Sequence, residues 1–175
     1  MIDLSPAAME RIRALFREED VAAAQRMLTD CTESAWLIAD VMRQGADRMV
    51  FAMIRVSGGR LDRLEATAIP LLRQDWRDLL VAADFAEDIH AHETWQPRRF
   101  DSKVEDDWMA GQRPDGVEFG LGQSVEVLSR LHPGQTGAVI ALRALEPEPR
   151  YLIQLGSGEE SEEFQRMLKG RVVEE

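Results

Sequence analysis

The chain has one cysteine, Cys31, in 175 residues. A lone thiol cannot close an internal disulfide, so the fold must hold without one, which suits a reducing compartment. Long apolar runs are missing too. No stretch approaches the roughly 20 apolar residues that span a bilayer. The start, MIDLSPAAMERIR, lacks a basic segment followed by an apolar run, so no signal peptide is expected. These absences point to a soluble cytoplasmic protein with no membrane partner. Tyrosine occurs once, at Tyr151, and beyond Trp108 the only other aromatics are Phe119 and Phe164.

Positive charge is in short supply. Lys and Arg number 21 against 32 Asp and Glu, a net charge of −11. The deficit is spread along the chain: 17 acids to 13 bases in residues 1–100, 5 to 2 in 101–116 and 10 to 6 in 117–175. Affinity for nucleic acid rests largely on neutralising phosphates with Lys and Arg, so an acidic surface disfavours nucleic acids and anionic membranes. A basic protein partner is compatible with the charge. However, an acidic pI is also common in proteins that bind nothing basic.

Catalytic signatures are absent as well. The chain has no G-x-S-x-G elbow, no H-E-x-x-H, no G-x-x-x-x-G-K-[ST] loop and no G-x-G-x-x-G after a strand. Ser57-Gly58-Gly59 reads as a turn, and Gly116–Gly122 carries Glu118, which would repel a phosphate. No cofactor is expected.

What is present, a hydrophobic fraction of 45%, is that of an ordinary globular protein. Ser5-Pro6 offers an N-cap hydroxyl and a first-turn proline, followed by Met9, Ile12 and Phe16 at helical spacing. Asp20 can cap a second helix with Val21, Ala24, Leu28 and Cys31 on its seam, where the thiol is a buried small hydrophobe. Glu33–Gln44 reads as a third helix ending at Gly45. Ala46–Val56 is apolar nearly all round and reads as the central buried helix. A helix from Leu61 should kink or end at Pro70. Asp75 and Asp78 open another whose buried face is Trp76, Leu79, Leu80 and Ala83.

One constellation invites chemistry. If Asp84–Glu93 is helical, as the spacing of Phe85, Ile89 and His92 suggests, residues two apart point about 200° apart, so His90 and His92 diverge. Asp84, Asp88 and His92 then share a face and could ligate zinc or iron with an open water position. The competing reading is an exposed acidic helix end with one half-buried histidine.

From Gln96 to Asp115 the composition shifts to Pro, Gly and charge, which reads as a linker with a helical turn around Val104–Met109. Trp108 and Met109 are out of place in a free linker. They either pin it to a neighbouring domain or belong to a partner surface.

Ser124–Leu128, Ala138–Leu145 and Tyr151–Leu155 favour strands. The first alternates around Val125 and Val127, whereas neither face of the second is strongly polar, so burial on both sides is expected. Pro133-Gly134 and Glu146-Pro147-Glu148-Pro149 break the runs. A short strand or helical turn across Glu162–Leu168 would finish the unit. Gly122-x-x-Val125-x-Val127, Pro133-Gly134-x-x-Gly137 and Tyr151-Leu-Ile-x-Leu155 before Gly156-x-Gly158 together resemble a small bacterial SH3-like barrel, over about a third of the chain. Such barrels bind peptides, proteins or RNA, or cap another domain, so the resemblance implies a fold and not an activity. With so few aromatics, a proline-peptide groove is not expected. RNA docking would lean on Arg166, Lys169 and Arg171, a small set.

The expected fold is α+β: a helical bundle over residues 1–96, a linker over 97–116 and an SH3-like β-barrel over 117–175. The expected function is a non-enzymatic, cytoplasmic protein-interaction module, such as an adaptor, inhibitor or immunity-type binder with an acidic surface. Trp108, Met109 and Tyr151 are its candidate binding residues. The alternative is a metal-dependent enzyme or accessory subunit using Asp84, Asp88 and His92. Partner identity and oligomeric state stay open.

Overall fold

The computed structural model describes residues 4–32 and 45–171. The chain is α+β and divides into two units, Met1–Arg99 and Phe100–Glu175.

In the first unit, α1 (Pro6–Leu15) starts as its residues dictate, with Ser5 Oγ accepting the Ala8 N–H at 3.1 Å and Pro6 in the first turn. Ala8, Ile12 and Leu15 form its buried face and Phe16 follows them inward. Helix α2 (Glu18–Thr32) begins two residues before the expected cap. Asp20 therefore lies within a first turn of three acids, Glu18, Glu19 and Asp20, which suits the helix dipole. Ala24, Leu28 and Cys31 are buried, and burial raises the pKa of the Cys31 thiol. The helix expected over Glu33–Gln44 lies outside the described residues.

Helix α3 (Ala46–Ser57) is central, packing on α1 and on the three helices that follow it. Every residue from Arg48 to Ile54 is buried, as an apolar circumference requires. It ends at Gly58 in the left-handed conformation.

Helix α4 shows which of the two outcomes expected at Pro70 is excluded: the helix does not end there. It comprises an α turn Leu61–Arg63, a π-helical turn Leu64–Ala68 and an α segment Ile69–Gln74, so it runs past the proline. Proline has no N–H to donate and its ring crowds the carbonyl four residues back. A wider π turn just before it relieves both problems without ending the helix. Helix α5 (Trp76–Ala82) is capped by Asp75, which accepts the Arg77 N–H at 2.9 Å, and α6 (Ala91–Thr94) is a single turn.

In the second unit, α7 (Ser102–Met109) is capped by Asp101, which accepts the Val104 N–H at 3.0 Å. The stretch expected as a linker thus supplies a helix to this unit, and the boundary between units falls at 99/100. One antiparallel sheet follows: β1 (Ser124–Val127), β2 (Thr136–Ala144), β3 (Arg150–Leu155), β4 (Glu160–Phe164) and β5 (Leu168–Gly170). Its strand order is β4-β3-β2-β1-β5. A 3-10 turn, Gln165–Met167, joins β4 to β5, so the region expected to be strand or helical turn contains both.

Strand β1 alternates as read, with Val125 and Val127 fully buried. Strand β2 does not bury both faces. Register shifts at Val139/Ala141 and Leu142/Ala144 leave Ile140 and Arg143 without direct partners on β3. Each bulge adds a residue, so the inward positions are Val139, Leu142 and then Leu145, three apart, with half-buried neighbours between them. The core of this unit gathers Trp108, Val117, Phe119, Val125, Val127, Val139, Tyr151 and Ile153.

Candidate functional site

The proposed metal set is not assembled. Ala83 closes α5, Asp84 takes a left-handed φ of 56°, and the chain runs without a helix until Ala91. That turn breaks the continuous helix needed to align Asp84, Asp88 and His92. Asp84 points to solvent and approaches Arg55 only at 3.9 Å. Asp88 Oδ1 accepts the His90 N–H at 2.8 Å, a local turn contact. His92 is half-buried against Phe51 and Phe85, with ring centroids 5.9 and 6.3 Å away. Among the described residues no group of three or more His, Cys, Asp or Glu side chains could hold a metal ion. Ile89 is 61% exposed, so the Phe85–Ile89–His92 spacing did not reflect a buried helical face.

The two neighbouring histidines titrate in opposite directions. A hydrogen bond from His90 Nδ1 to Glu93 Oε1 at 3.0 Å raises the pKa of exposed His90, while burial lowers that of His92. The folded chain thus resists protonating His92 where the unfolded chain accepts a proton. Folding loses that stability as pH falls through about 6.5. Urea midpoints of wild type and His92→Gln at about pH 7.5 and about pH 5.5 check this. The wild type should lose more on acidification than the variant, and equal losses would contradict the assignment.

The surroundings of His92 are built from buried arginines and aromatic rings. Arg11, only 7% exposed, lies over the Phe51 ring at 4.1 Å and 5.9 Å from Trp95, and it donates to the Ala7 carbonyl at 3.3 Å and the Glu93 carbonyl at 3.2 Å. Arg55 lies over Phe85 at 5.1 Å, and Phe85 meets Trp95 edge to face at 5.9 Å. Arg48 donates to the Phe85 carbonyl. A planar guanidinium tolerates such burial because ring faces and carbonyls replace its water. The available signal was Arg48-x-x-Phe51-x-x-x-Arg55, one face of an otherwise apolar helix. The arrangement ties α1, α3 and the 85–95 segment together.

In the second unit, two of the three candidate binding residues are interior. Trp108 is 1% exposed and its indole N–H donates to the Phe119 carbonyl at 3.0 Å. Tyr151 is fully buried. Its hydroxyl donates to Gln165 Oε1 at 2.7 Å and accepts the Phe119 N–H at 3.4 Å, and burial raises its pKa. Neither side chain is available to a partner, because each fills the core and satisfies buried backbone. Met109, one position on, is half exposed.

The apolar surface that sequence reasoning missed lies in the β1–β2 loop, residues 128–135. Leu128 is 48% exposed and Leu131 83%. The loop is held at its base. The Leu128 N–H donates to the Met167 carbonyl at 2.8 Å, and Ser129 Oγ donates to Glu163 Oε1 at 2.8 Å. Glu163 is 5% exposed on the inner side of β4 and also accepts from Ser161 Oγ at 2.7 Å. A buried carboxylate with two hydroxyl donors is a firm anchor, since removing it strands both hydroxyls. The leucines therefore project from a fixed loop beside β4, whose outward residues are Glu160 and Glu162.

Compared with protein-family models, curated proteins and solved structures, the chain matches none.

Proposed function

We propose that the chain is a non-enzymatic, cytoplasmic protein-interaction module of the adaptor, inhibitor or immunity type, with the β1–β2 loop as its docking element. The observation that carries this reading is Leu131, 83% exposed at the tip of a loop anchored by a buried carboxylate. Large apolar side chains left in water on a fixed support gain free energy when a partner covers them, and a fixed loop loses little entropy on binding. Residues 101–175 carry 15 acids against 8 bases, so the fitting partner presents an apolar recess with a basic rim.

The same reading takes the second unit as an SH3-like barrel. The consecutive antiparallel strands, the 3-10 turn before β5 and the return of β5 to pair with β1 support it. The metal-dependent alternative has lost the helix on which its ligand set depended.

The test is affinity purification of the tagged chain from its own cell extract, alongside a Leu128→Asp/Leu131→Asp variant. Leu131 is at the surface, so its change should alter stability by no more than about 0.5 kcal/mol, and half-exposed Leu128 should cost about 1 kcal/mol. The wild type should retain one stoichiometric partner that is lost in the variant and weakened at about 0.5 M salt. A partner retained equally by both proteins would overturn the loop assignment.

A further inference from the structure

The helical unit contains a cavity of about 380 Å³ that loop docking leaves unused. Trp76, Leu80 and Val81 of α5 form one wall, Ala86 and Ile89 face in from the segment after it, and Arg48 of α3 and Arg77 of α5 complete the lining. Two features mark it as more than a packing gap. Val81 is 64% exposed and Ile89 61%, so large apolar side chains stand in water around a concave surface. In addition, the lining among the described residues includes two arginines and no carboxylate, in a chain with 32 acids and 21 bases.

Both cations are held in place. Arg48 is 4% exposed and donates to the Phe85 carbonyl. Arg77 lies over the Trp76 ring at 4.5 Å and reaches Asp75 Oδ1 at 3.5 Å. That last contact is long and exposed, the kind of ion pair worth little and readily exchanged for another anion.

We infer that this cavity binds a small organic anion with a flat apolar body, an arylcarboxylate being the simplest member. The body lies against Trp76, Leu80, Val81 and Ile89, and the anionic head meets Arg77 at the rim with Arg48 adding positive potential behind it. The volume lies at the lower end of the roughly 300–1,000 Å³ of small-molecule sites.

The experiment titrates the full chain with 1-naphthoate and separately with 1-naphthamide, which keeps the body and removes the charge. The Trp76 indole N–H resonance, assigned through Trp76→Phe, is the readout. Naphthoate should shift that resonance and bind at least about 10-fold more tightly than the amide, since a charge-assisted hydrogen bond contributes that much. In Arg77→Gln, an exposed change that leaves the helix intact, the preference should vanish while the affinity for the amide stays within about two-fold. Three results would overturn the inference: equal affinity for the two compounds, no Trp76 shift up to about 10 mM, or a preference that survives in Arg77→Gln.

Discussion

Trp108→Ala should unfold the second unit while the first keeps its helices. The ring is 1% exposed among Val117, Phe119, Val125, Val127 and Tyr151, and its N–H is hydrogen-bonded to the Phe119 carbonyl. Removing a buried tryptophan ring costs about 3–5 kcal/mol, and the stranded carbonyl adds about 1–3 kcal/mol. A small domain has about 5–15 kcal/mol in total, and one of this size lies toward the lower end. The amide resonances of residues 124–170 should therefore lose their dispersion while those of α1 to α5 keep theirs. Trp108→Phe retains most of the packing and should cost only the donor, about 1–3 kcal/mol. A tryptophan reserved for a partner would behave differently: its loss would abolish binding and leave the spectrum intact.

Gly59→Ala should be the most damaging small substitution in the helical unit. Gly59 has a φ of +78°, and a Cβ there would stand 2.4 Å from the Leu15 carbonyl oxygen and 2.9 Å from its carbon. Neither atom can move aside, because both belong to the backbone at the end of α1. Gly45→Ala is the control, with φ +83° and nothing within 4 Å of the added methyl. The control, at φ +83° and ψ 126°, meets only the backbone penalty of a sparsely populated conformation, about 1–3 kcal/mol, with no clash. Gly59→Ala adds a backbone displacement and should lose about 3 kcal/mol or more. Thermal unfolding of the two variants separates the terms, and equal losses would mean that the turn does not press on α1.

Much of the sheet unit was legible from short-range chemistry. Strand β1 alternates as its valines require, and Pro133-Gly134 lies in the turn before β2. Period-two reasoning failed only where β2 bulges at Ile140 and Arg143, because a bulge is set by the pairing with β3 and leaves no mark in the strand itself. Proline and acidic residues made 97–116 resemble a linker. Nevertheless Asp101 caps a helix there, Lys103 bridges Asp107 at 2.6 Å four residues on, and the helix delivers Trp108 to the core.

The candidate site was harder to read. Asp84, Asp88 and His92 were grouped on the assumption of a helix, and the left-handed turn at Asp84 dissolves the group. The buried arginines escaped because arginine is normally a surface residue, and only the tertiary fold shows which rings receive it. Leu128 falls opposite the buried valines of β1, where exposure is expected, and Leu131 belongs to no periodic pattern that would place it. The anchoring of their loop through Glu163 depends on tertiary contacts and leaves no local signal.

The measurement that bears most directly on the proposed docking loop is photocrosslinking in the native cell extract. A photoreactive phenylalanine replaces Leu131 in one protein and the exposed Arg143 in another. The account predicts one discrete covalent adduct from position 131 and none from position 143. No adduct at 131, or the same adduct from both positions, would contradict it.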